Sequence, residues 1–185
     1  MAHDGAIPSR PHEPLPAYHL RPVTPADEAT LWRMLYYAAH MDEDGATAPE
    51  AAQENPFLAQ YVAGWGQPGD LGVVAEISPA AAAIGAAWLR LLIADKTSAS
   101  YYDDETPELA IAVLPGWVGR GVGSALMKRL VQAATGHYPA IVLTVRADNP
   151  AVRLYSRFGF AVIDEIVNRV GTKSYKLLLT LGGSR

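Results

Sequence analysis

Apolar positions along the chain recur at two spacings, and the switches between them mark the elements. Residues 17–23, AYHLRPV, alternate weakly as a strand does. Thr24, Pro25 and Asp27 form a helix-start signal, and EATLWRMLYYAAHM continues at helical spacing. DEDGATAP breaks that pattern, and ENPFLAQYVAGW predicts a second short helix ended by glycines. LGVVAEI and AAIGAAWLRLLI read as two strands parted by a turn at Ser78 and Pro79. The polar ADKTSASYYDDETP is a loop, and ELAIAV is the next strand. GRGVGSALMKRLVQAAT is a helix with Val122, Ala125, Leu126, Leu130 and Ala133 on one face. AIVLTV is a buried strand. NPAVRLYSRF is a helix with Asn149 as N-cap, Pro150 in its first turn and Gly159 as a left-handed stop. FAVIDEIV and SYKLLLTL close the chain as strands.

The resulting order, β-α-α-β-β-β-α-β-α-β-β, mixes hairpins with one strand–helix–strand crossover. It predicts an α/β (mixed α+β) fold with a single domain over residues 17–185. Residues 1–16 carry Pro8, Pro11, Pro14 and Pro16, too many for regular hydrogen bonding, and are expected to be a mobile tail.

Composition narrows the chemistry. Half of the 185 residues are hydrophobic, enough for a sizeable core, and a net charge of −4 points to neither nucleic acid nor a membrane surface. With no cysteine, disulfides, thiolate metal sites and a cysteine nucleophile are excluded. The N-terminus has no apolar signal region, and the longest apolar stretch, residues 81–94, is too short to span a bilayer and contains Arg90. A cytoplasmic protein is the expectation. The five histidines are scattered without metal-ligand spacing, so no metal is expected. No nucleophile elbow is present, and Gly45 comes too early in MDEDGATAPE for a calcium loop.

GRGVG, at a strand-to-helix junction, is the unusual feature. Helix N-termini leave N–H groups without partners, and glycine lets a phosphate approach them. The same residues would serve a tight turn. A dinucleotide fingerprint fails, since its third position falls on Leu126 or Ser124, and a Walker A loop is absent.

ELAIAVLPGWVGRGVGSALMKRL followed by IVLTVRADNPAVRLYSRFGF closely resembles the GNAT superfamily of acetyl-CoA-dependent N-acetyltransferases. The family signature, Arg/Gln-x-x-Gly-x-Gly/Ala, falls on Val118-Gly119-Arg120-Gly121-Val122-Gly123, with Gly121 and Gly123 matching and Val118 departing. The resemblance implies a mixed twisted sheet of six to seven strands, flanked by about four helices, with a splayed pair of parallel strands at the cofactor site. It implies that Ile111, Ala112 and Val113 pair with the pantetheine arm of acetyl-CoA. The backbone from Val118 through Gly119, Arg120, Gly121, Val122 and Gly123 to Ser124 would hold the pyrophosphate. Asn149 stands where the family bonds the cofactor arm, and Tyr155 where many members keep a tyrosine near the sulfur.

The implied activity is transfer of acetyl to a primary amine, on a small molecule, a peptide or a protein. Without cysteine, direct attack in a ternary complex is the simpler route. Glu108, at its strand's start, is the candidate base, against the alternative of an exposed strand-end carboxylate. Tyr155 is the candidate acid, although its spacing alone fits a core aromatic. The resemblance places the acceptor among the first two helices and a later loop, which carry Tyr36, Tyr37, Asp42, Glu43, Asp44, Trp65, Tyr101, Tyr102, Asp103, Asp104 and Glu105, with Trp88 as a further candidate. Solvated loop acids and packing aromatics fit the same list. A non-catalytic acyl-CoA-binding module on the same fold is the alternative function. A homodimer is expected if the last strand lies at a sheet edge.

Overall fold

Every strand expected from the pattern forms: β1 His19–Pro22, β2 Leu71–Glu76, β3 Ala83–Arg90, β4 Glu108–Val113, β5 Ala140–Arg146, β6 Ala161–Val167 and β7 Lys173–Thr180. The computed structural model describes residues 16–41, 45, 48, 50–78, 82–92, 100–167 and 171–182; the expected tail, up to residue 15, lies outside them. The strands make one sheet in the order β1-β2-β3-β4-β5-β7-β6. Only β4 and β5 run parallel, joined by a crossover helix. β3 is buried along its whole length, which explains its unbroken run of small and apolar residues.

The last strand is not an edge. β7 pairs with β5 from Ala140↔Thr180 to Arg146↔Ser174, and β6 lies outside it. The apolar β7, with Leu177 fully buried, takes the interior slot, whereas β6 is exposed at nearly every position. The ground for expecting a dimer through a terminal edge strand is thereby removed.

The helices are α1 Glu28–Ala38, α2 Ala51–Glu54, α3 Pro56–Ala59, α4 Val122–Ala134 and α5 Val152–Arg157. α1 starts where Thr24 and Asp27 form a capping box. Of the short helix expected within residues 54–65 only α3 forms, followed by turns, and α2, which ends at Glu54, precedes it unexpected. Pro56 pushes Asn55 into extended backbone (φ −93°, ψ 108°), and the Asn55 side chain caps the N–H of Phe57. Helices α1–α3 cover one face of the sheet through Leu31, Met34, Trp65, Ala86, Trp88 and Ala110. Helices α4 and α5 cover the other through Leu126, Leu130, Ile141, Leu143, Tyr155 and Leu177.

Candidate active site

The parallel pair β4–β5 is joined only at its beginning. Glu108 pairs with Val142, and the Val142 N–H donates to the Pro107 carbonyl at 3.1 Å. Beyond this point the strands part, while β4 remains zipped to β3 as far as Val113↔Gly85. The N–H of Leu114 donates to Ile84, and backbone direction alternates along a strand, so the polar groups of Ile111 and Val113 face the gap. Those of Ala112 are committed to β3. A cleft of about 1050 Å³ opens here, lined by all three residues and by Val118, Gly119, Gly121, Gly123, Ser124, Asn149 and Tyr155.

One end of the cleft is the start of α4. Gly119 and Gly121 have φ of 77° and 81°, a left-handed backbone that holds the helix off until Val122. A Cβ at either would touch nothing within 4 Å, so conformation rather than crowding requires the glycines. The first α4 bond runs from Ala125 N–H to the Gly121 carbonyl, and no side chain caps the helix. The N–H groups of Val122, Gly123 and Ser124 are thus left without helical acceptors beside a cleft, the arrangement a phosphate requires. The Val122 side chain belongs to the core, and Arg120 lies 5.7 Å over the Trp117 ring rather than among the lining residues.

The other wall is α5. Asn149 accepts from the Ala151 N–H at 2.8 Å, and its amide reaches His40 Nε2 at 2.9 Å. His40 holds a left-handed position (φ 54°) at the end of α1, so α1 and α5 meet across the cleft. α5 stops at Gly159 (φ 91°), where Phe160 N–H returns to Tyr155 C=O and Gly159 N–H to Ser156 C=O, a Schellman closure. The ring of Phe160 packs edge-on against Tyr155 at 5.9 Å. The helix stop therefore also orients Tyr155. Burial holds its phenol well above the usual range, so it keeps its proton at neutral pH.

Glu108 is buried, not exposed: only 4 % of it meets solvent. Burial pushes its carboxyl up to about 7, opposed by hydrogen bonds from Ser100 and Tyr61 and by the charge of Lys176. Tyr61 donates to Oε1 at 2.5 Å, whereas Oε2 is buried with no partner. Tyr61 is itself fixed from β3. Trp88 Nε1 donates to its carbonyl at 3.0 Å, and Arg90 donates to the carbonyls of Ala63 and Gly64 at 2.9 and 3.1 Å.

The expected acceptor residues do not gather. Tyr37 lines the cleft, but Tyr36, Trp65 and Trp88 are core side chains and line neither cavity. Tyr101 closes a local turn on Asp104, and Asp103 caps the N–H of Glu105. Asp42, Glu43 and Asp44 lie outside the described residues. Sequence reasoning missed Tyr61 and His40. Tyr61 stands 47 residues from Glu108 and carries no local signal beyond an aromatic in an apolar run. His40 occupies a helix stop where glycine is the usual mark. Among the described residues no group of three or more His, Asp or Glu gathers as a metal site, and no helix is long and apolar enough to cross a membrane.

Comparison with known proteins follows the same outline. No curated protein sequence matches the chain. Among solved structures, yncA from Salmonella typhimurium, assigned as an acetyltransferase and solved with its cofactor acetyl-CoA, superposes with a TM-score of 0.65 at 21% identity, over 91% of this chain and 96% of that one. A spermidine N-acetyltransferase chimera from Vibrio cholerae and hSSAT gives 0.60 at 19%, over 89% and 95%. The ribosomal-protein-S18-alanine N-acetyltransferase of Escherichia coli gives 0.60 at 16%, over 91% and 97%. The model of the acetyltransferase (GNAT) family matches residues 32–160, well over half the sequence. The chain belongs to the acetyltransferase (GNAT) family.

Proposed function

We propose that this protein moves an acetyl group from acetyl-CoA to a primary amine by direct attack in a ternary complex. The observation that carries the reading is the β4–β5 gap, bounded by uncapped N–H groups at one end and by Tyr155 and Glu108 at the other. Ile111 and Val113 would bond the pantetheine arm as an added strand. Val122, Gly123 and Ser124 would hold the pyrophosphate, and Asn149 would border the arm. Acetyl-CoA, when bound, supplies the thioester carbonyl that the amine attacks. The exposed Val118 at the departing signature position offers backbone but no side-chain donor.

Glu108 is the base of this reading. A carboxyl near pH 7 accepts a proton from an ammonium far better than one near 4.5, yet is still ionised in part at neutral pH. Tyr155 supplies a hydrogen bond to the departing sulfur, and its high pKa means that it shares its proton only as negative charge develops there. Two protons leave the nitrogen, one to Glu108 and on to bulk water, the other to the departing thiolate, which leaves as the thiol. The C–N bond forms as the C–S bond breaks.

Calorimetry with acetyl-CoA, CoA and NADH tests the cleft. Binding of the first two and not the third is expected; absence of CoA binding would remove the cofactor assignment. Binding without acetylation of any amine would favour a non-catalytic acyl-CoA-binding module.

A further inference from the structure

Helix α1 ends against its own propensities. Met41 N–H returns to the Tyr36 carbonyl and His40 N–H to the Tyr37 carbonyl, both at 3.1 Å, a Schellman closure. The left-handed position of that motif ordinarily takes glycine. Here it holds His40, the one residue other than glycine with positive φ (54°) among the described residues. A side chain there carries a conformational cost that glycine would not. The imidazole reaches across the cleft: its Nε2 lies 2.9 Å from Asn149 Nδ2, and both residues line the cleft. Asn149 Oδ1 accepts from the Ala151 N–H at 2.8 Å, which turns Nδ2 toward the ring. An amide nitrogen only donates, so Nε2 accepts and the imidazole proton sits on Nδ1. The amide is thus held at both ends, Oδ1 by the first turn of α5 and Nδ2 by the end of α1. One of its N–H groups and one Oδ1 lone pair remain uncommitted.

We propose that His40 is a positioning residue for acetyl-CoA, locking the Asn149 amide in the plane from which its remaining N–H and lone pair meet the pantetheine arm. This rests on the cofactor assignment of the reading above. Held only through Ala151, the amide would swing about its terminal torsion, which is broad for asparagine. Each binding event would then have to order it again. Freezing that rotation beforehand removes the ordering cost from binding. The strained helix stop has the same explanation. Glycine would end α1 without strain but would leave Asn149 unheld, and strain of this kind gathers where a site needs pre-organisation. His40 touches no reacting atom in this account, so its effect falls on cofactor affinity.

The test is calorimetry with acetyl-CoA on the wild type, His40→Gly, Asn149→Ala and the double variant, with thermal melting of the same samples. Glycine suits the left-handed backbone, so relief of strain offsets the lost bond in His40→Gly. Its melting temperature should stay within about five degrees of the wild type. Its affinity for acetyl-CoA should nevertheless fall by about fivefold or more. Asn149→Ala should lose at least as much. Adding His40→Gly to it should cost no further affinity, because the ring acts only through the amide. Nitrogen NMR of the neutral imidazole should place its proton on Nδ1 in the wild type. If Asn149→Ala fails to fold, His40→Gly and the wild-type spectrum decide the matter. Unchanged affinity in His40→Gly, additive losses in the double variant, or a wild-type ring proton on Nε2 would overturn the role of His40 and leave the cofactor assignment intact. Failure of the wild type to bind acetyl-CoA would instead overturn that assignment, and this inference with it.

Discussion

Glu108 carries two opposed demands in one side chain. It is buried deeply enough to raise its carboxyl to about 7, yet hydrogen bonds from Ser100 and Tyr61 still favour its charged form. If it is the base, kcat/KM rises with pH through about 7, and Glu108→Gln abolishes that limb. Tyr61→Phe removes one bond to the carboxylate, so the limb moves to higher pH; an unmoved limb would detach Tyr61 from the base. The Tyr155 hydroxyl has no hydrogen-bond partner among the described residues, so Tyr155→Phe should leave stability unchanged. It should reduce kcat by ~10²–10⁴ with acetyl-CoA affinity retained if the hydroxyl assists the leaving sulfur. Full activity in that variant would make Tyr155 a packing residue only.

At the scale of elements, Gly123 separates phosphate binding from backbone strain. Gly121 has φ 81°, so any side chain there strains the turn as well as the cleft. Gly123 has ordinary helical backbone, and a Cβ would meet Leu154 at 3.5 Å, an ordinary contact. Gly123→Ala should therefore raise helix stability by about 0.5–1 kcal/mol. Its affinity for acetyl-CoA should fall by about tenfold or more, about 1.4 kcal/mol, as the methyl crowds the phosphates. Thermal melting and calorimetry on one sample read both. The elements were largely legible because their punctuation is local. Thr24 and Asp27, Gly121, Asn149 and Gly159 each mark a boundary within one turn of where it falls. α2 went unread because its four residues are too few to show a helical spacing. The order of β6 and β7 was not legible, because which strand lies inside depends on burial against β5, a contact between distant residues. The partners of Glu108 were illegible for the same reason.

Across the whole molecule, two titrations give opposite pH dependence. Arg21 pairs with both oxygens of Asp27 at 2.8 Å and with Glu76 at 3.0 Å, tying β1 and β2 to the start of α1. The guanidinium holds Asp27 down at about 2, so its contribution is present above the ordinary value of 3.8 and is lost as pH falls from there towards 2. Glu108 has the reverse sign. Its raised carboxyl favours the folded state below 4.5, and that contribution is lost as pH rises through about 7. The melting temperature should therefore decline between pH 5 and 8 in the wild type, and less so in Glu108→Gln. An equal decline in both would place the cause elsewhere.

The most direct measurement follows the acetyl group itself. With acetyl-CoA and a primary amine, thiol release and mass-spectrometric detection of the acetylated amine are recorded together. The account predicts one acetamide formed for each CoA released, with release dependent on the amine. Release of CoA without acetylated amine, or tight acetyl-CoA binding with neither product, would contradict it.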